Sequence, residues 1–194
     1  MLVPDNSRRY TEFALKPVSV RLATPEDAEA IARLHVATSL AAYRPIFGDD
    51  YTGGDIDERI ESWRRMLVGD LTLAWMPPEK TYLAVTADET IAGFCAVGPS
   101  RDAEPGDDGE VMMLYISPDF WRGGVGNLLF DSGTAYLRER GFSELILWVL
   151  EDNVRARSFY EKKGWRPDGA KKPSFSRPAL SQVRYRVKAA ATRA

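Results

Sequence analysis

The chain of 194 residues contains a single cysteine, Cys95, and a single histidine, His35. One thiol excludes an internal disulfide, and one imidazole beside it leaves no metal-ligand cluster. No apolar run approaches the ~20 residues that a membrane span requires. Residues 1–16 hold no apolar block of the kind a secretory signal carries. Lysine and arginine are not gathered into a compact run with interleaved aromatics, which argues against a nucleic-acid binder. What is left is the composition of a globular protein, 44% hydrophobic and 28% charged. The expectation is a cytoplasmic protein with no metal, no membrane partner and no nucleic-acid partner.

The length suits one domain with a sizeable core. The chain divides into an N-terminal extension over residues 1–17, one domain over 18–190 and a tail over 191–194. Net charge is only −2, but it is unevenly spread. From Arg155 onward, twelve Lys/Arg face only Glu161 and Asp168, whereas the preceding residues carry fourteen Lys/Arg against twenty-six acids. A basic end suits an anionic ligand, and an acidic region suits a cationic one.

Hydrophobic periodicity orders the elements. Residues 18–22 alternate as a first strand. Thr24-Pro25-Glu26-Asp27 reads as a helix start, with Thr as N-cap and Pro at the first helical position. That helix is expected to run past His35 towards Ala42, and residues 43–54 to form a loop. A second helix over 56–68 carries Ile60, Trp63 and Leu67 at helical spacing. Residues 81–87 and 90–97 pair as a hairpin, with Cys95 a small buried side chain in its second strand. Residues 101–109 form an acidic loop. Residues 145–150 are an unbroken apolar run, as in a strand buried on both faces. Residues 153–163 make a last helix closed by Gly164, 171–178 a loop and 183–187 a final strand.

The stretch Glu110 to Asn127, EVMMLYISPDFWRGGVGN, organises the rest. An apolar strand ends at Ser117-Pro118, and Gly123, Gly124 and Gly126 then crowd a helix entrance. Glycine inside a helix costs about 1 kcal/mol relative to alanine, so such crowding points to a close approach to the backbone. Free N–H groups and the positive dipole end of a helix suit a phosphate. The helix is expected to present Val125, Leu128, Leu129, Ser132 and Tyr136 on one face and to end at Gly141. A P-loop is excluded, because Asn127-Leu128 follows the last glycine where Lys-Ser/Thr is required. A dinucleotide fingerprint is excluded by Leu129 at its third glycine position. Strand, helix and strand in this order form a right-handed crossover, so the strands ending near Ile116 and Leu150 should be parallel.

Trp121-Arg122-Gly123-Gly124-Val125-Gly126 resembles the pyrophosphate loop of the GNAT superfamily of acyl-CoA-dependent N-acyltransferases, (Gln/Arg)-x-x-Gly-x-(Gly/Ala). The departure is Trp121 where Gln or Arg is usual; Arg122 is one place further on. Residues 153–165, NVRARSFYEKKGW, resemble the family's other signature, Asn-x-x-Ala-x-x-Phe-Tyr-x-x-x-Gly-Phe, with Trp165 the one substitution. Two motifs in the right order and context are more specific than either alone. The resemblance implies an α+β fold of three layers. It has a mixed central sheet of about six to seven strands, splayed parallel strands four and five, and helices on both faces.

The resemblance also implies roles. Acetyl-CoA would be the acyl donor, bound by backbone groups at Leu114 and Ile116, by the loop Trp121, Arg122, Gly123, Gly124, Val125, Gly126 and Asn127, and by Asn153, Ala156 and Phe159. The backbone N–H at Leu114 would stabilise the oxyanion. Tyr160, with an ordinary pKa near ~10, would protonate the leaving thiolate. Glu110 would take the proton of the attacking amine, with Glu151 or water in reserve. Direct attack needs no nucleophile from the protein, and Cys95 lies in the wrong strand. Tyr43, Phe47, Asp49, Asp50, Tyr51, Asp55 and Phe175 would shape the acceptor pocket, an acidic and aromatic set that suits a cationic amine, small molecule or peptide. Monomer and homodimer both remain open. The competing class is a non-catalytic acyl-CoA-binding module with the same fold.

Overall fold

The computed structural model describes residues 17–70, 72, 77–102 and 108–189. Residues 1–16 of the extension, residue 190 with the whole tail over 191–194, and the centre of the acidic loop lie outside the described residues. Strand β1, Val18–Leu22, stands where alternation placed it. Thr24 then caps a 3-10 turn, Pro25–Asp27, in which Asp27 accepts from the Thr24 N–H at 2.8 Å and pairs with Arg21 at 2.7 Å.

Helix α1 follows as Ala28–Phe47, five residues beyond the expected end at Ala42, with Pro45 inside it. Proline removes one N–H from the ladder and disfavours helix at its predecessor. Here it stands two residues from the end, so the last turn survives. The gain is aromatic: Tyr43 stacks on Phe47 at 5.4 Å, and Phe47 meets Tyr51 edge-on at 4.7 Å. Gly48, at φ +98°, then breaks the helix while its N–H bonds Arg44 C=O at 3.0 Å. Helix α2, Ile56–Leu67, is capped by Asp55, whose carboxylate accepts from Glu58 N–H at 3.0 Å. Ile60, Trp63 and Met66 face inward; Met66 takes the place expected of Leu67, which is half-buried.

The sheet strands are β2 (Lys80–Thr86), β3 (Ile91–Pro99), β4 (Asp108–Ile116), β5 (Glu144–Leu150), β6 (Arg166–Pro173) and β7 (Ser181–Lys188). They are joined by helices α3 (Val125–Glu139) and α4 (Val154–Lys162). Their order is β1-β2-β3-β4-β5-β7-β6, a seven-stranded mixed sheet in which β4 and β5 alone are parallel. Helices α1 and α2 cover one face over a core of Ile31, Trp63, Leu83 and Phe94. Helices α3 and α4 close the other over Leu129, Phe130, Leu137, Leu145 and Trp165. The α+β, three-layer expectation holds.

Two expectations are corrected. The buried face of α3 is Val125, Leu129, Phe130, Gly133, Thr134 and Leu137, whereas Leu128 is exposed. The face is rotated because Gly133 docks on β3, where a Cβ would come within 2.8 Å of Val97 and 2.9 Å of Cys95. Strand β6 occupies 166–173, part of which was expected as loop, and the loop proper is 174–180. Its sequence, RPDGAKKP, has no apolar alternation because it is a mostly exposed edge strand. Charge and proline are what natural edges carry.

Candidate active site

The site begins where two strands part. Strands β4 and β5 pair only through Asp108–Glu144, Gly109–Leu145 and Glu110–Ile146. Beyond Glu110 they diverge, leaving β4 from Val111 to Ile116 without a β5 partner. A bulge lies there too, since Val97 and Ala96 of β3 pair with Val111 and Met113 and leave Met112 unmatched. Bulges bend a strand and re-aim its side chains. Leu114 and Ile116 consequently pack towards α3 and α4, while Met113 and Tyr115 pack towards α1 and α2. The divergence exposes strand edges to any extended ligand able to add as a further strand.

At the open end of β4 stands the glycine loop. A 3-10 turn, Pro118–Phe120, leads into Trp121. Arg122 is left-handed at φ +63° and Gly124 at φ +83°, so the chain turns twice before α3 starts at Val125. Such a conformation is rare for a non-glycine residue and clusters at ligand-binding turns. Leu128 N–H is the first to find a carbonyl one turn back, at Gly124. The N–H groups of Val125, Gly126 and Asn127 precede it, as the first donors of any helix do. They form a donor cluster at the positive end of a fifteen-residue helix.

Trp121, the departure from the motif, has a defined job. Its indole Nε1–H donates to Ile116 C=O at 2.7 Å, tying the loop to the end of β4. The Arg155 guanidinium lies over the same ring, 3.5 Å from its centroid. Motif matching did not find Arg155, which occupies a variable position of the second signature. The missing glutamine or arginine was the signal that another cation should be sought nearby.

Asn153 caps α4: its side chain accepts from the Ala156 N–H at 3.1 Å. Phe159 and Tyr160 pack with Phe130 at ring separations of 5.4 and 5.7 Å. Tyr160 is buried, and burial above all pushes its phenol well above the ordinary tyrosine pKa, helped by Cys95 and Tyr115 nearby. It is a proton donor that does not ionise on its own at neutral pH. Burial alone pushes the Cys95 thiol up to about 12. That thiol is not a nucleophile.

Glu110 is 1% exposed at the last paired position of the splay. Its Oε2 accepts from Arg101 N–H at 2.9 Å and Nε–H at 3.1 Å, and Oε1 accepts from Nη2–H at 2.5 Å. Glu151 sits more openly and pairs with Lys171 at 2.7 Å. On the α1 side, Tyr43, Phe47, Tyr51 and Tyr115 form one aromatic group, which Tyr115 extends to His35 at 4.3 Å. His35 is buried and accepts from Trp63 Nε1–H at 3.2 Å. Asp49 faces Arg44 at 3.3 Å, Asp50 faces Arg177 at 2.6 Å, and Phe175 is 98% exposed. The structure thus gathers Tyr43, Phe47 and Tyr51 with Tyr115, and leaves Phe175 in solvent.

A sheet split between two parallel strands, with a donor-rich helix start at the mouth and a buried phenol beside it, forms the candidate active site. Residues 40–165, about two thirds of the chain, match the family model for the acetyltransferase (GNAT) family. The chain belongs to that family of acetyltransferases. It is 31% identical to the uncharacterized N-acetyltransferase YuaI of Bacillus subtilis over 70% of this chain and 73% of that one. It is 37% identical to a mycothiol acetyltransferase of Geodermatophilus obscurus over 47% of this chain, spanning only 30% of that relative's length. The fold is shared with PaiA N-acetyltransferase of Thermoplasma acidophilum, solved in complex with coenzyme A. Their TM-score is 0.70 and identity 20%, over 89% of this chain and 99% of that one. No described helix is long and apolar enough to cross a membrane.

Proposed function

We propose that this acetyltransferase moves an acetyl group from acetyl-CoA to a primary amine of a small molecule or peptide, by direct attack through a tetrahedral intermediate. The observation that carries the reading is the opening of β4 from β5 immediately after Glu110, with Tyr160 buried in the adjoining core. A pantetheine arm adds along β4 at Leu114 and Ile116, and the pyrophosphate meets the N–H groups from Arg122 to Asn127. Asn153 and Ala156 at the start of α4, with Phe159, border the arm. The Leu114 N–H takes the oxyanion. The amine nitrogen forms a bond to the acyl carbon, the carbon–sulfur bond breaks, and Tyr160 gives its proton to the departing thiolate.

The amine must lose a proton, and Glu110 is the acceptor at the root of the cleft. Three of roughly four lone-pair directions of its carboxylate are taken by Arg101. One direction on Oε1 remains, enough for a water that relays the proton. Glu151 is the weaker candidate, since its carboxylate is already ion-paired with Lys171.

The test is release of CoA thiol from acetyl-CoA against a panel of amines, run in parallel on Tyr160→Phe. Amine-dependent release that falls about 10²- to 10⁴-fold in the variant is expected. Unchanged release in Tyr160→Phe removes Tyr160 as the acid. Tight acetyl-CoA binding without release for any amine overturns the catalytic reading in favour of a binding module.

A further inference from the structure

Composition alone makes the acceptor side acidic, but the side chains are arranged otherwise. Each acid of the loop between α1 and α2 already has a partner. Asp49 faces Arg44, Asp50 faces Arg177, and Asp55 is spent on the N-cap of α2. What lacks a counter-charge is an arginine. Arg59, on the first turns of α2, is half-buried and has no carboxylate within ion-pair distance among the described residues. Its guanidinium lies against Gly54, where a Cβ would come within 3.2 Å of the Nη2 atom. It turns inward, near enough to His35 and Tyr51 for its charge to disfavour protonation of the one and favour ionisation of the other.

Arg59 and Arg177 border the same hollow, of about 260 Å³, together with Asp50, Tyr51, Gly54 and Ser176. It joins the α1–α2 loop to the β6–β7 loop, residues 127 positions apart being bridged by Asp50 and Arg177. Two guanidinium groups and one carboxylate leave a single positive charge there. Withdrawing a cation from water without a counter-charge is costly, and the planar fork of arginine matches a carboxylate with two parallel bonds. The Asp50–Arg177 pair is largely exposed. Such pairs contribute little, so Arg177 can turn to a ligand at small cost.

The hollow is connected to the reacting end by tyrosines. Tyr51 meets Tyr43 at a ring separation of 6.5 Å, and Tyr43 meets Tyr115 at 6.3 Å. Tyr115 in turn lies close enough to Tyr160 to disfavour ionisation of its phenol. Tyrosine rings thus stand between the hollow at Arg59 and β4.

We propose that the acceptor is an amino carboxylic acid with its amine on a long spacer, the carboxylate bound by Arg59 and Arg177 and the amine reaching past Tyr51 and Tyr43 to the splayed strands. This rests on the acetyl-transfer reading and specifies its substrate class. From the ammonium form of the acceptor and acetyl-CoA, the products are an N-acetyl amino acid, free CoA thiol and one proton: the nitrogen loses two protons, and the departing thiolate gains one.

The test compares each of several amino acids with its carboxamide and with the amine lacking the carboxylate, as acetyl acceptors and as ligands. Acceptor kcat/KM is read by thiol release, and binding by calorimetry on the full chain with CoA present. The acid is expected to exceed its amide by about 10- to 100-fold in both. Arg59→Gln should abolish that preference by lowering kcat/KM and affinity for the acid towards those for the amide, and Arg177→Gln should reduce it. Equal rates and equal binding of acid and amide, or a preference that survives in Arg59→Gln, overturn the proposal. Acid-selective binding without transfer supports the anion site and sinks the reaction. Transfer without acid preference does the reverse. Should Arg59→Gln fail to fold, Arg177→Gln and the wild-type acid-to-amide ratio decide.

Discussion

The Arg155 guanidinium carbon lies 3.5 Å from the centre of the Trp121 ring, whose indole N–H holds Ile116 C=O at 2.7 Å. A residue of α4 is thereby stacked on a residue of the glycine loop, and that residue is fastened to the end of β4. The tryptophan stands where the family motif has glutamine or arginine, yet a cation is still delivered to the loop. Burial lowers the pKa of Arg155, and the Tyr43 phenol on α1 partly offsets this. Arg155 therefore lies on Trp121 of the glycine loop and within electrostatic reach of Tyr43 on α1.

Arg155→Ala should weaken acetyl-CoA binding about 3- to 30-fold, the range of a partly desolvated cation–π contact. Trp121→Phe keeps a ring for the stack but loses the bond to Ile116, so it should cost less. Calorimetry with acetyl-CoA and with S-acetylpantetheine separates the causes. If Arg155 serves the phosphates, the shorter donor is indifferent to its removal. An affinity for acetyl-CoA within twofold of wild type in Arg155→Ala would falsify the assignment.

Glu110→Gln separates chemistry from architecture. Arg101 loses a charged partner in a buried place, so stability should fall by about 1–3 kcal/mol. If Glu110 also relays the amine proton, kcat at neutral pH should drop on the order of 10²-fold and recover in part as pH rises. Lost stability with kcat intact would make Glu110 an anchor of the segment around Arg101 and return the base role to Glu151 or water.

Gly133→Ala tests the docking of α3. Alanine in a helix interior ordinarily gains about 1 kcal/mol over glycine. Here the new Cβ would stand 2.8 Å from Val97 Cγ1 and 2.9 Å from Cys95 Sγ, in a sheet that cannot retreat. The expected result is a net loss of about 1–3 kcal/mol by overpacking, with partial rescue in the double variant with Cys95→Ala. Urea midpoints of the four proteins decide, and a more stable single variant would contradict the packing described.

These contacts mark where sequence reasoning succeeds. β1, the hairpin β2–β3, the apolar β5 and the cap at Asn153 are local in origin, and each is found where pattern placed it. The splay was implied by two matching motifs. Strand β6 was partly hidden because an exposed edge needs no apolar alternation. The rotation of α3 was hidden because Leu128 and Leu129 look alike in sequence, and only the closeness of Gly133 to β3 chooses between them. The pairing of the acids between α1 and α2 was hidden because it is tertiary. Asp50 and Arg177 are 127 positions apart, and nothing local joins them.

His35 gives the pH dependence its sign. Burial first, and the nearby Arg59 charge second, lower its pKa from 6.5 to about 3 in the folded chain. Trp63 Nε1–H donates to its Nδ1, an arrangement that only the neutral ring accepts, with Phe94 and Tyr115 closing over it. The unfolded chain takes up a proton near pH 6.5, whereas the folded chain does not until near pH 3. Between these values the unfolded state binds more protons, so stability falls as pH falls. The loss is limited to about 1.4 kcal/mol per pH unit, is absent above neutrality and is complete only near the lower limit. His35→Gln keeps an acceptor for Trp63 but cannot titrate. Its urea midpoint should start lower at pH 7.5 and then decline less steeply than wild type down to pH 5. Parallel declines in the two proteins would place the acid sensitivity elsewhere and show that His35 titrates normally.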